Sequence, residues 1–473
     1  MTRPARQSCS QCQRLQAQVE TIQARVDALL TEVTELREQL AALKKNSSTS
    51  SKPPSSDIVK PPPADDSSSP RRAGGQPGHS KHQRAPFPPE QVSHFEERRL
   101  QVCPCCGGNL RRNGPWARIV QQVDIAKPPL TVEQHTSPEY WCVRCQKAYQ
   151  APLPSAIEKG GLVGSRLTAL IAYLKGACPA SYATVRTFLR AVVGLTISRG
   201  QLAKVIAKVS EALDGPYQEL LPMLPGESSL NVDETGHKDN GTPMGTWCFR
   251  AELYTLFKID PHRSADVLLD VLGEEFDGVL GCDCFSVYRR SMRECDVVVQ
   301  FCLAHLIRDV KFLTTLPGKN ERSYGARLRE ALRQLFRLIH RREQMPARQF
   351  QVQLEAVRDG VLVTGTTSVP SNRHAQAMAK RLRTYGASYF TFVTTPGVEP
   401  TNNLAEQAIR FVVIDRHITQ GTRSETGQRW NERIWTVLAT CTQQGRSAWE
   451  YLEAAVWAYF HEEGAPTLLP NGT

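Results

Sequence analysis

Ser229-Leu-Asn-Val-Asp233 alternates apolar Leu230 and Val232 with polar neighbours, the two-residue period of a half-buried strand. Asn240-Gly241 follows as a turn signal, and alternation resumes in Thr246-Trp-Cys-Phe-Arg-Ala-Glu252 and in Tyr254-Thr-Leu-Phe-Lys-Ile259. A helix over Ser264 to Leu272 precedes a fourth strand, Gly278-Val-Leu-Gly-Cys-Asp283, and Val297-Val-Val-Gln-Phe301 reads as a fifth. Three antiparallel strands, a crossover helix and further strands predict a mixed α/β sheet. On this pattern Asp233 ends the first strand and Asp283 the fourth. A long Arg-rich helical stretch comes next, then a helix opening near Asn403, then a helical C-terminus.

Working back toward the N-terminus, residues 160–215 predict three helices. Leu162 to Lys175 is apolar at helical spacing, and Tyr182 to Val192 follows after Pro179. Ser198 with Gln201 three residues on forms a capping box that opens a helix through Leu202, Val205, Ile206 and Val209. A helix-turn-helix would present Arg199, Gln201 and Lys204 to a DNA major groove, although an ordinary three-helix bundle carries the same pattern.

Residues 91–155 hold Cys103-Pro-Cys105-Cys106-Gly107 and Cys142-Val-Arg-Cys145. Paired knuckles of this kind bind structural zinc, here through Cys103, Cys106, Cys142 and Cys145, with Cys105 as a spare. Ile119, Val123 and Ile125 between the pairs suggest short ribbon strands. Four thiolates leave no open coordination position, which argues against a zinc hydrolase. Residues 46–90 contain ten Ser, ten Pro and no Leu, a composition that cannot offset chain entropy and predicts a disordered linker. Ahead of it, Leu15, Ile22, Leu29, Leu36 and Leu43 repeat every seven residues, with Val19, Val26, Val33 and Leu40 interleaved. Mostly β-branched a positions with Leu at d favour a parallel two-stranded coiled coil, hence a homodimer.

The chain has 473 residues, 40% of them hydrophobic, enough for a large core without disulfides. No stretch resembles a secretory leader, and none approaches the ~18 apolar residues of a membrane span. A cytosolic protein is therefore expected, its fourteen cysteines serving as thiols or metal ligands. The net charge is +11. Between Leu303 and Thr395 sixteen Lys/Arg stand against six Asp/Glu, a surplus of ten concentrated where a polyanion such as DNA could be bound. Single residues there, such as Arg327, Arg329, Arg333 and Arg337, also fit a solvated charged face.

Asp233, Asp283 and Glu406, the last in the first turn of its helix, suit two-metal phosphoryl transfer, in which acidic oxygens hold two Mg²⁺ roughly 4 Å apart astride one phosphate. Each has an ordinary alternative. Asp233 fits a strand-ending turn, Asp283 could lie beside a second zinc site with Cys302 and His305, and Glu406 could close a capping box with Asn403.

Val232-Asp-Glu-Thr235, Cys302-Leu-Ala-His305 and Pro400-Thr-Asn-Asn-Leu-Ala-Glu406-Gln-Ala-Ile-Arg410 resemble the DDE transposases of bacterial insertion sequence sixty-six. Gly74-Gly-Gln-Pro-Gly-His79, the cysteine ribbon and the leucine-zipper start share the resemblance, which runs in order along nearly the whole chain. It implies an RNase H-like catalytic domain with a helical insertion, and a metal-binding triad of Asp233, Asp283 and Glu406. It also implies that Cys302 and His305 lie near the active site, and that small accessory proteins are encoded by the same element. Arg410, one turn after Glu406, either contacts the scissile phosphate or pairs with an acid. The chain departs from the family pattern at Leu303, at Leu306-Ile-Arg-Asp309, at Cys284-Phe285 and at Arg416-His-Ile418, so nothing is carried over to His417.

The expectation is then an α/β protein in six parts: a coiled coil over 13–45, the linker over 46–90, a zinc ribbon over 91–155, a helical DNA-binding module over 160–215, an RNase H-like domain over 228–425 with its basic insertion at 303–395, and a helical region over 426–473. Two Mg²⁺, replaceable by Mn²⁺, and structural Zn²⁺ are its expected cofactors. DNA (element ends and target) is the expected partner, in a cytoplasmic, nucleoid-associated setting. The resemblance implies a transposase that binds element ends, cuts them and transfers the strands; the alternative is a catalytically inactive DNA-binding protein derived from such an element.

Overall fold

The computed structural model describes residues 10–45, 87–92, 94–95, 105–109, 121, 123, 129–144, 146–294 and 297–470. The chain divides into a small unit, Pro62–Gln134, and a large unit holding the rest. In the small unit the Phe87 N–H donates to Gln121 Oε1 at 2.6 Å, and Gln121 Nε2 donates back to Phe87 O at 2.8 Å. Cys106 is exposed there, and Val123 lies outside any strand. Cys103, Cys145, Ile119, Ile125 and the motif Gly74 to His79 fall outside the described residues.

The large unit begins with α1 (Ser10–Leu43), 34 residues long and so about 50 Å. All nine a and d residues are exposed, from 42% at Val26 and Val33 to 83% at Leu43. The opposite face is the one that touches the body of the protein. Glu38 accepts a 2.5 Å hydrogen bond from Asn372 Nδ2 and lies 3.8 Å from Arg373 Nε. The Lys45 ammonium stands 3.7 Å from the centre of the Phe312 ring. In the heptad register Glu38 and Lys45 are both f positions, and the half-buried Ala41 and Ala42 are b and c. Docking through b, c and f leaves the apolar seam free.

β1 (Glu139–Cys142) and β2 (Lys147–Gln150) form an antiparallel hairpin. Five helices follow: α2 (Ser155–Gly160), α3 (Ser165–Gly176), α4 (Tyr182–Phe188), α5 (Arg199–Ala212) and α6 (Asp214–Leu220). The Ser198–Gln201 capping box is formed in full and starts α5, which buries Leu202, Val205, Ile206 and Val209.

The sheet comes next. β3 (Ser229–Asp239) and β4 (Thr242–Arg250) join through Asn240 and Gly241, whose φ values of 48° and 90° are the left-handed pair a two-residue hairpin turn requires. β5 (Thr255–Asp260), β6 (Val279–Cys282) and β7 (Val298–Phe301) complete the order β5-β4-β3-β6-β7, antiparallel across β5-β4-β3 and parallel across β3-β6-β7. Asp233 thus sits within β3 and does not end it, a correction to the sequence expectation. Pairing with β6 stops at Asn231↔Gly281; β5 still flanks β4 as far as Gly245↔Asp260, opposite Gly236, and His237 to Asp239 continue with β4 beyond both. Main-chain pairing with β4 holds polar Glu234 to Asp239 extended without an apolar alternation.

α7 (Ala265–Leu272) crosses from β5 to β6, and α8 (Ser286–Glu294) leads toward β7. The Arg-rich stretch forms α9 (Leu303–Leu313), α10 (Lys319–Ile339), α11 (Ala347–Thr366), α12 (Arg373–Tyr385) and the short α13 (Thr391–Thr394). α10 buries Tyr324, Leu328, Leu332, Leu335 and Leu338. On its outer side Arg333 and Arg337 pair with Glu330 at 3.6 and 3.1 Å, and Arg327 donates to Ser368 O. At these positions a solvated charged face describes the arginines.

Three helices close the chain: α14 (Asn403–Thr419), α15 (Glu425–Gln443) and α16 (Ala448–Phe460). α15 lies along β5, the outermost strand. The N–H groups of Thr255, Phe257 and Ile259 donate to Thr440 Oγ1 (3.1 Å), Thr436 Oγ1 (3.1 Å) and Glu432 Oε1 (2.7 Å). Four helical residues advance about 6 Å and two strand residues about 6.7 Å, so the two periods nearly match. The helix therefore satisfies donors that an edge strand would leave open. α15 also packs on α3 and α5, and Arg433 on it bonds Ser210 O and Asp214. α15 thus joins β5 and the helices α3 and α5 in one shared core.

Candidate carboxylate site

Parallel pairing of β3 with β6 brings Asp233 and Asp283 to the same end of that ladder, because each lies two positions beyond its last pair, Asn231↔Gly281. Asp283 follows β6 directly, and its Oδ1 accepts the Phe285 N–H at 2.9 Å, a local turn that fixes the carboxylate. Asp233 Oδ1 accepts the Glu234 N–H at 2.9 Å. Glu406 arrives from α14, 123 residues further along the chain than Asp283.

The capping-box alternative for Glu406 fails. Asn403 is exposed, and the residue at the helix start is Asn402, only 1% exposed. Asn402 turns its side chain to the sheet and does not cap its own helix. Its Nδ2 donates to Val232 O at 2.8 Å, and its Oδ1 accepts from Asn231 Nδ2 at 3.0 Å. Its N–H donates to Cys302 Sγ at 3.2 Å. Gly281 permits this packing, since a Cβ there would stand 2.5 Å from Asn231 Nδ2. Asn402 thus ties α14 to β3 through its side chain and to the start of α9 through its backbone N–H.

The Cys302-x2-His305 pair sits where the sequence pattern puts it, beside these carboxylates. Cys302 is buried at the N-terminal cap of α9, and His305 Nδ1 faces Glu406 Oε1 at 3.4 Å. Arg308, one turn beyond His305, holds Glu406 Oε2 at 3.3 Å. Arg410, by contrast, is exposed and forms no ion pair among the described residues. Arg308 takes the acid that spacing along α14 offered to Arg410; the signal for it was the continuation of the Cys302, His305 periodicity along one face of α9. His417 is exposed, whereas its neighbour Arg416 donates to Thr235 Oγ1 at 2.9 Å and to Gly236 O.

A fourth carboxylate, Glu234, belongs to the cluster. Tyr288 OH donates to its Oε2 at 2.5 Å, and Arg263 Nη2 lies 3.1 Å from its Oε1. Burial raises the Asp233 carboxyl well above the ordinary range, and the charges of Glu234, Asp283 and Glu406 raise it further. Asp283 is raised by burial and by Glu234, with His305 opposing. Burial lowers His305 against the pull of Glu406. Four carboxylates crowd together with Arg263 and Arg308 as their paired cations, which favours capture of a further cation.

The helices at 160–215 leave Arg199, Gln201 and Lys204 exposed. Gln201 Oε1 is already occupied by the Ser198 N–H at 3.2 Å, so in this conformation the residue serves the cap. Among the described residues no helix is long and apolar enough to cross a membrane.

A family model described as a family of unknown function matches residues 1–85. No curated protein matches the chain. A second family model, described as Transposase IS66 family, matches residues 160–429, more than half of the chain, from the end of α2 into α15 and across all three carboxylate-bearing elements. The chain belongs to the IS66 transposase family.

Proposed function

We propose that the protein cuts DNA at the ends of a mobile element and transfers the strands by metal-assisted phosphoryl transfer, with Asp233, Asp283 and Glu406 as the metal-holding carboxylates. The observation that carries this reading is their convergence from three separate elements onto one end of the sheet. The order β5-β4-β3-β6-β7, three strands antiparallel and two parallel, supports an RNase H-like fold.

The residues fit magnesium. All three offer hard oxygen ligands, as that ion requires. Glu406 Oε1 is buried without a hydrogen-bond partner, and the raised carboxyls of Asp233 and Asp283 express an unmet need for positive charge. Bound Mg²⁺ would lower the pKa of an attacking water or 3′-hydroxyl and stabilise the leaving oxygen. The protein's own groups hold the carboxylates in place. Asn402 fixes α14 against β3, Arg308 orients Glu406, the Phe285 N–H orients Asp283, and Tyr288 with Arg263 keeps Glu234 turned aside.

The surplus of positive charge on α9 to α12 supports a DNA-backbone role for that region. The free seam of α1 supports pairing of two protomers, which suits a reaction on two element ends. A zinc ribbon through Cys103, Cys106, Cys142 and Cys145 completes the reading.

The test is cleavage and strand transfer on an oligonucleotide carrying the element end, with Mg²⁺, with Mn²⁺ and with chelator. Asp283→Asn is expected to abolish cleavage while retaining DNA binding. Binding without metal-dependent cleavage in the unmodified chain would instead identify an inactive DNA-binding protein.

A further inference from the structure

Cys302, at the cap of α9, and His305, one turn later, point toward the first turn of α14, where Glu406 stands. One ligand atom from each (the Cys302 sulfur, an imidazole nitrogen and a carboxylate oxygen) lies within 4.8 Å of the other two. His305 Nδ1 and Glu406 Oε1 face each other at 3.4 Å, yet neither has a hydrogen-bond partner. The separation alone would suggest an ion pair, but the geometry does not align a proton between the two atoms, and both are sealed from water.

A tetrahedral zinc-class ion bonds nitrogen and oxygen at about 2.0–2.1 Å and sulfur at about 2.3 Å, which spaces adjacent nitrogen and oxygen ligands roughly 3.3 Å apart. The observed 3.4 Å is that spacing. We propose that Cys302 Sγ, His305 Nδ1 and Glu406 Oε1 form a three-ligand binding site for a borderline-soft divalent transition ion of the zinc class.

The groups around these atoms suit the role. Arg308 occupies the other oxygen of Glu406, leaving Oε1 as a single-oxygen ligand. Burial raises the Cys302 thiol, and the Asn402 N–H, which donates to its sulfur at 3.2 Å, opposes that rise together with the N–H groups of His305 and Ala304. A sulfur ligand discriminates against Mg²⁺ and Ca²⁺, which take oxygen donors. The site stands on these contacts and not on the cleavage reading. Only one consequence rests on that reading: zinc here would share Glu406 with the proposed magnesium set.

Co²⁺ is the probe, titrated into the metal-stripped full-length chain alongside Cys302→Ala and His305→Ala. Unmodified protein is expected to take up one more equivalent per chain than Cys302→Ala. The difference spectrum should carry a single-thiolate charge-transfer band and tetrahedral ligand-field bands, and a large excess of Mg²⁺ should not remove them. His305→Ala should weaken that equivalent at least tenfold, and it serves in place of Cys302→Ala if that variant melts early by circular dichroism. The cysteine ribbon contributes equally to all three proteins and cancels in the difference. Equal stoichiometry with a flat difference spectrum refutes the site. If cleavage in that case still depended on Mg²⁺ and Asp283, the proposed function would stand alone; loss of cleavage dependence with cobalt binding intact would separate the two the other way.

Discussion

Replacing Asn402 by alanine removes the side chain that ties α14 to β3, while its backbone N–H can still donate to Cys302 at the start of α9. Two polar groups lose their partners, the Val232 carbonyl and the Asn231 amide. An orphaned buried group costs about 1–3 kcal/mol. Asn231 is only half-buried and recovers some solvation, so the pair together costs roughly 2–4 kcal/mol. At about 2–4 °C per kcal/mol, a thermal scan should show a fall of roughly 4–16 °C. Because Glu406 rides on the helix so released, metal-dependent cleavage should fall by about 100-fold, the scale of a misplacement near 1 Å.

Asn402→Asp separates hydrogen bonding from packing. It keeps an acceptor for Asn231 but sets a carboxylate oxygen against the Val232 carbonyl. Protonated, that aspartate becomes a donor to the same carbonyl. Its stability deficit relative to the unmodified protein should therefore shrink as pH falls, whereas the deficit of Asn402→Ala should not. The reasoning is refuted if Asn402→Ala melts within 2 °C of the parent and cleaves at its rate, or if the two variants respond to pH alike.

The double change Thr436→Val, Thr440→Val keeps side-chain shape but strips acceptors from the Phe257 and Thr255 N–H groups, at about 1–3 kcal/mol each; hydrogen exchange at those two amides should accelerate sharply, and unchanged protection would sink the idea. His237, held to a folded pKa of about 4 by burial and by Arg416, donates from Nε2 to Thr422 while its Nδ1 is buried without a partner. The unfolded chain takes up that proton near pH 6.5 and the folded one only near 4, so stability present above pH 6.5 is lost as pH falls through that window, by roughly 3 kcal/mol; melting curves of His237→Gln should lack this component. Leu29→Lys in the seam should yield monomers by analytical ultracentrifugation, while Glu38→Lys on the docked face should leave dimers; a dimeric Leu29→Lys protein excludes the seam as the interface. Arg308→Ala should depress cleavage far more than Arg410→Ala, and the reverse ranking would return the phosphate-contact role to Arg410.

What was legible in the sequence was the part that each segment decides for itself. The heptad of α1, the left-handed Asn240-Gly241 turn and the Ser198–Gln201 box each depend on residues a few positions apart. The alternation of β3 to β5 and the short apolar runs of β6 and β7 also gave the mixed sheet. Alternation misplaced the end of β3, because main-chain pairing with β4 carries the strand on through polar residues that show no such pattern. The edge of the sheet was not legible either. Thr436 and Thr440 read as ordinary helix residues, and only the approach of β5, about 180 residues earlier, makes acceptors of them.

The same distinction explains the site. The end of β6 marked Asp283, whereas Asp233 lies inside β3, two residues beyond its last pair with β6, and the family resemblance placed Cys302 and His305 beside them. Spacing along α14 leaves Arg410 open between the scissile phosphate and an acid, and among the described residues it pairs with no acid. An exposed arginine on the same helix gains little from such a pair, typically a few tenths of a kcal/mol. Arg308 approaches from a half-buried position on another helix, where solvent screens the attraction less. Judged from neighbouring residues alone, capping points to Asn403 and not to Asn402. Asparagine at a helix start ordinarily accepts from its own second or third N–H. Here a buried strand carbonyl that must be satisfied competes for the same side chain, and leaving that carbonyl orphaned costs about as much as the lost cap or more. The strand wins, the helix start is left to its backbone, and Glu406 is held by a contact 170 residues distant in sequence.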